Sequence, residues 1–179
     1  MKKLTLLFYL ITINSIVLGQ ESIITGLDEN NNLVGEKITD LENKSEVEIY
    51  KKTKEWIAFT FTNTESVMQS DIENKMLRLN GISKSVIGPY YGFYFDLSYQ
   101  IQVEIKNEKI RFRIYNLKQV SQSSPYTSSN LELIYKKGEL RKGKRYGKLK
   151  NQVDEKISSI YENLIDFIKK NKTTSKDDW

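Results

Sequence analysis

From Phe93 to Lys106 the chain alternates without a break: Phe93, Phe95, Leu97, Tyr99, Ile101, Val103 and Ile105 are apolar, and Tyr94 and the residues from Asp96 to Lys106 between them are mostly polar. Successive side chains of a strand point to opposite faces, so this pattern predicts one long strand with an apolar face and a wet face. Ile110, Phe112 and Ile114 resume the period after Asn107-Glu108. If those two residues form the loop of a hairpin, Ile105 faces Ile110, Val103 faces Phe112, Ile101 faces Ile114, and Glu104 faces Arg111. Each such pair adds roughly 0.2–1 kcal/mol, and a slip of one residue would scramble all of them.

An antiparallel sheet with one apolar face needs cover. Ser45-Glu46-Val47-Glu48 is a capping box that should start a helix. The apolar side of that helix is Ile49, Tyr50, Trp56 and Ile57, and it should end near Phe61. A second helix is expected from about Lys150 to Lys170, with Val153, Ile157, Ile160, Tyr161, Leu164 and Ile168 on one face. Leu33–Thr39 reads as a first strand, and Ser66–Ile72 and Met76–Ser83 as two short ones. Gly88-Pro89 and Gly92 should break the pattern before the long hairpin. Residues 121–130 read as a polar loop. The order strand, helix, four strands, helix predicts an α+β two-layer sandwich, with a mainly antiparallel sheet of about five strands covered on one face by two helices.

The ends suggest a compartment. Lys2 and Lys3, the apolar run from Leu4 to Leu18, and the small residues Val17 and Gly19 have the layout of a secretory signal peptide cleaved after Gly19. The run is shorter than the roughly 20 apolar residues of a membrane anchor. Cleavage would leave 160 residues and lower the formal charge from +5 to +3. Residues 20–32 are then expected to be a mobile N-terminal segment, 33–170 a single domain, and 171–179 a flexible tail. With no Cys the chain has neither disulfides nor the anchor of a bacterial lipoprotein. An exported protein, periplasmic or extracellular and not lipid-anchored, is the expectation.

Composition also narrows the chemistry. There is no His, so the commonest general base and the commonest metal ligand are both missing. Asp28-x-Asn30-x-Asn32 opens like a calcium loop, but Leu33 stands where its glycine belongs and Thr39 where its bidentate Glu belongs. No cofactor or metal is expected. Enzyme chemistry would fall to carboxylates such as Asp71, Glu73, Asp96 and Glu104, and glycoside cleavage needs two of them flanking one bond.

Residues 136–150, KKGELRKGKRYGKLK, invite a P-loop reading. Gly138, Gly143 and Lys144 fit in type, but Arg145 replaces the magnesium-binding hydroxyl, and Gly147 is expected to keep a helix from starting there. A nucleotide is therefore not expected. Two readings remain open: a solvated loop, the usual fate of such runs, or an anion-binding patch of Arg141, Lys142, Lys144, Arg145 and Lys148 facing an anionic polymer or glycan. Tyr90, Tyr91 and Tyr94 could form an exposed aromatic ledge for a glycan or peptide. The stretch Tyr91-Gly92-Phe93-Tyr94-Phe95 echoes an RNA-recognition strand, but lacks its leading basic residue and assigns Phe93 and Phe95 to the core.

The segment holding Tyr50, Trp56-Ile57, Val67, Gln69, Asp71 and Gly81, together with the hairpin YQIQVEIKNEKIRFRIYN, resembles a family of uncharacterised exported bacterial proteins with a TATA-binding-protein-like fold. The resemblance spans about residues 33–117 and departs at the hairpin turn, where Asn107-Glu108 replaces the family's Asp-Gly. It implies fold and export and no activity. The reading that follows is an exported, non-catalytic binding or accessory protein of unknown ligand. Its alternative is a small carboxylate-dependent hydrolase acting on an envelope or extracellular glycan.

Overall fold

A computed structural model describes residues 22–30, 32–121, 128–131, 134–137 and 139–170. The signal segment, the tail 171–179 and Gly138 lie outside them. The main sheet runs in the order Gly26–Leu27, Leu33–Asp40, Lys109–Ser121, Phe93–Lys106, Met76–Tyr90, Met68–Ile72, with Ser128–Asn130 also on Lys109–Ser121. Its body is the five strands β2 (Leu33–Asp40), β3 (Met68–Ile72), β4 (Met76–Tyr90), β5 (Phe93–Lys106) and β6 (Lys109–Ser121). Short β1 (Gly26–Leu27) and β7 (Ser128–Asn130) extend it, and every pairing is antiparallel. Helices α1 (Glu46–Thr60) and α3 (Lys144–Lys169) cover one face. A single turn, α2 (Thr64–Val67), precedes β3, and β8 (Tyr135–Lys136) pairs with β9 (Glu139–Leu140) as a separate small hairpin. The two-layer α+β class follows directly from the alternation.

The β5–β6 register is the expected one: Ile105 faces Ile110, Val103 faces Phe112, Ile101 faces Ile114 and Glu104 faces Arg111. Asn107 and Glu108 both have positive φ, 48° and 59°, as the two central residues of a type I′ turn must. Leu77, Leu79, Leu97, Ile101, Val103 and Phe112 lie buried under Trp56, Ile57, Ile157 and Leu164. Trp56 also donates its indole N–H to Asn163 Oδ1 at 2.7 Å, fastening α1 to α3. Ser45 caps α1 as expected, accepting from Glu48 N, while the Glu48 carboxylate goes to Lys44 at 2.5 Å.

Several expectations are corrected. β4 does not stop at Ser83 but runs to Tyr90 through two register shifts, because bulges let a strand bend without ending. Phe93, assigned to the core, is 69% exposed: its parity is right, but it lies beyond the end of the helical cover. Asp96, assigned to the wet face, is fully buried; the β4 bulge folds over it, and it accepts from Ser85 N at 2.9 Å and Lys84 Nζ at 2.8 Å. Residues 128–130 of the expected polar loop form β7. Of the segment 20–32, expected to be mobile, Ile23 and Thr25 are held against α3. Ile23 is buried with its N–H on Ser158 Oγ, and Thr25 bonds Asp154 through both its N–H and its hydroxyl.

Candidate functional site

The basic run 136–150 is not a loop. Only Arg141 to Gly143 separate β9 from α3, which starts at Lys144 and runs through Gly147. A helical glycine costs about 1 kcal/mol, and burial of Leu149 and Val153 in the turns that follow outweighs it. The helix N-terminus carries Lys144, Arg145 and Lys148 and no acidic residue in its first turn, the reverse of what the macrodipole favours.

This helix start lands against the turn between β4 and β5. Gln152 reaches across to bond both Gly88 N (3.0 Å) and Gly88 O (2.5 Å). The two candidate groups read separately in the sequence thereby meet. The Arg145 guanidinium lies 4.8 Å from the Tyr91 ring centroid and 5.4 Å from that of Tyr90. Those two rings meet edge to face at 4.8 Å. Arg141 lies over Tyr146 at 5.8 Å. The hydrogen bond with Tyr146 pushes the Tyr90 phenol above its ordinary pKa.

The turn itself holds Tyr91 at φ 49° and Gly92 at φ 84°. A bulky side chain in that region is an outlier, and Tyr91 is 73% exposed, so no burial compensates it. Phe93, the cross-strand partner of Tyr90, puts a further exposed ring on the same side. Tyr94 has the opposite parity and passes against Gly88, apart from the arginines. Lys142 lines a shallow depression of about 420 Å³ with Lys136, Lys137, Glu139, Leu140, Arg141 and Tyr146. Lys144 and Lys148 are exposed. Among the described residues none of Arg141, Lys142, Lys144, Arg145 and Lys148 forms an ion pair. Sequence reasoning missed Tyr146, Gln152 and the exposure of Phe93. The i+3/i+4 series Tyr146, Leu149, Val153, Ile157 carried the signal for the earlier helix start.

The four candidate carboxylates are not brought together. Asp71 shares the helix side of the sheet with its partner Leu77, accepting from Tyr50 Oη at 2.6 Å and Lys54 Nζ at 2.9 Å. That bond pushes the Tyr50 phenol up, away from use as a base. Glu104 lies on the opposite face, bonded by Gln102 and paired with Arg111 at 3.4 Å. Asp96 is sealed under its bulge, and Glu73 stands in the exposed β3–β4 turn. Among the described residues no group of His, Cys, Asp or Glu has the makings of a metal site. Asp28 instead accepts from the N–H groups of Asn30 and Asn32, which turns β1 into β2.

Residues 36–119 match the family model described as a domain of unknown function (DUF4468) with TBP-like fold. Two solved structures are similar over most of the chain. One is a TBP-like protein from Parabacteroides distasonis ATCC 8503, at TM-score 0.64 and 11% identity over 79% of this chain and 95% of that one. The other is a DUF4468 family protein from Bacteroides ovatus ATCC 8483, at TM-score 0.63 and 11% identity over 87% of this chain and 94% of that one. At that identity the likeness establishes the fold alone. No curated protein matches.

Proposed function

We propose, for a chain whose centre is a DUF4468 domain of TBP-like fold, that it is a non-catalytic binding protein of the cell exterior that holds an anionic polymer, an acidic polysaccharide, where the start of α3 meets the β4–β5 turn. The observation that carries this is the Arg145 guanidinium at cation–π distance from both Tyr90 and Tyr91, with no carboxylate partner among the described residues. Contact with aromatic rings holds a guanidinium without using its N–H donors. That fork fits a carboxylate, sulfate or phosphate in bidentate fashion. The exposed rings of Tyr91 and Phe93 offer apolar faces beside it, as a sugar ring requires.

The setting outside the cytoplasm rests on the leader read from the sequence. No described helix is long and apolar enough to cross a membrane. Against the hydrolase alternative, Asp71 and Glu104 lie on opposite faces of the sheet.

The test is retention on heparin. Replacing Arg141, Lys142, Lys144, Arg145 and Lys148 with Ser or Gln should abolish retention at physiological salt while the unfolding midpoint stays in place. Tyr91→Ala should weaken it with the charge unchanged. Retention indifferent to both overturns the proposal.

A further inference from the structure

A second cavity, of about 250 Å³, opens between the β1–β2 turn, β6, β7 and β8. It is smaller than the roughly 300–1,000 Å³ of sites that swallow a whole ligand, so it suits one unit of a longer one. Its floor is leucine: Leu33, Leu117 and Leu131 are all buried. Its polar lining is the amides of Asn32, Asn116 and Asn130 and the ammonium groups of Lys118 and Lys137. Asn116 already gives an N–H to Gln100 Oε1 at 2.6 Å, and the Asn32 side chain bonds Asp28. Each amide is thereby fixed while its oxygen remains an acceptor. An amide both donates and accepts, as does a hydroxyl, so a set of them is matched to a polyol.

The cavity is joined to the arginine–tyrosine site. Lys137 lines both this cavity and the basic depression. Arg141 and Tyr146 line that depression, and Tyr146 bonds Tyr90 beside Arg145. Along this path come the asparagines on leucine, then Lys137, then Arg141 over Tyr146 with Glu139 on the same depression, then Arg145 over the turn tyrosines.

We infer that this is a track for an acidic oligosaccharide several units long, with one sugar unit seated on the leucine floor among Asn32, Asn116 and Asn130 and acid groups passing Lys137 to reach Arg141 and Arg145. The inference rests on the reading of the arginine–tyrosine site as a polyanion site and adds the length and the path of the ligand. Affinity must then depend on chain length, because only a long enough chain spans both ends.

Titration of the whole protein with defined oligouronates, from one to about ten units, tests it. Affinity should climb with length and then level off, with the added subsite contributing about tenfold. Asn130→Ala with Lys137→Gln should remove that gain and weaken the shortest oligomers by less than the Arg pair does. Arg141→Ser with Arg145→Ser should weaken every length. If the Arg pair weakens every length but the Asn130/Lys137 variant changes none, the track is wrong and the anion site stands. If the Arg pair changes nothing, both fail. Equal affinity for poly-glutamate or single-stranded DNA of matched charge would show bulk attraction and overturn the sugar assignment. Unfolding midpoints of both variants should match the parent, since the substituted side chains are exposed or half-buried at the surface.

Discussion

The two ends of β5 turn the chain in the same way for different purposes. Both are two-residue loops with positive φ at both positions, Tyr91-Gly92 at one end and Asn107-Glu108 at the other. The favoured sequence for such a turn is Asn-Gly. Each turn keeps half of it: the far turn has the Asn and lacks the Gly, and the near turn has the Gly and lacks the Asn. At the far turn the departure is used by the fold. Glu108 O accepts from Leu41 N at 2.6 Å, and Asn107 N donates to Glu46 Oε1 at 2.8 Å, which ties the turn to the start of α1. At the near turn the odd residue makes no core contact. Tyr91 holds an exposed ring under Arg145. Strain without burial agrees with the proposed binding surface at this turn.

The comparison breaks first if the near turn is merely loose. Asp96 is what holds it, since its buried carboxylate anchors the bulge at Ser85, itself at φ 52°. Asp96→Ala should cost about 2–3 kcal/mol, from an orphaned backbone N–H and a lost charged acceptor. It should also cut heparin retention, although Asp96 touches no ligand. Full retention in a folded Asp96→Ala protein would mean that the turn geometry is idle. Tyr91→Asn is the sharper probe. Relief of a left-handed bulky residue should raise stability by about 1 kcal/mol, read in urea unfolding, while retention falls. A variant that gains stability and keeps its retention would leave Tyr91 without a role.

The same contrast explains what could be read in advance. The β5–β6 register needs only period two and a two-residue loop, both local, and Ile101 to Ile114 fell into place. The near end of β5 depends on partners distant in sequence. Gln152 bonds Gly88, and Arg145 lies over Tyr91. Neither pairing leaves a periodic trace. Gly147 misled for a related reason. Its local cost argued against a helix there, and the tertiary burial of Leu149 and Val153 decided otherwise. Phe93 obeyed its parity and still faces solvent, because the alternation of a strand cannot tell where the covering helices end. The arginines and tyrosines were legible as two groups; only the fold makes them one.

The far turn supplies the opposite result. Glu108→Gly places the preferred residue at φ 59° and should stabilise by about 0.5–1 kcal/mol, with the main-chain bond to Leu41 kept and retention unchanged. If it altered retention, the division of labour between the two turns would be false.

The smallest effect belongs to the cluster of Tyr50, Lys54 and Asp71, outside both turns. Burial alone would raise the Asp71 pKa, but the hydrogen bonds from Tyr50 and Lys54 together outweigh it and hold it below its usual value. A carboxylate with a depressed folded pKa adds stability above its unfolded pKa of about 3.9 and loses it as pH falls through the folded value. The partners are partly exposed, with Lys54 at 46%, so solvent screening limits the contribution to a few tenths of a kcal/mol. Asp71→Asn should therefore lower the unfolding midpoint slightly at neutral pH, and the gap from the parent should close below about pH 4. A gap that persisted into acid would show that Asp71 acts by packing and not by charge.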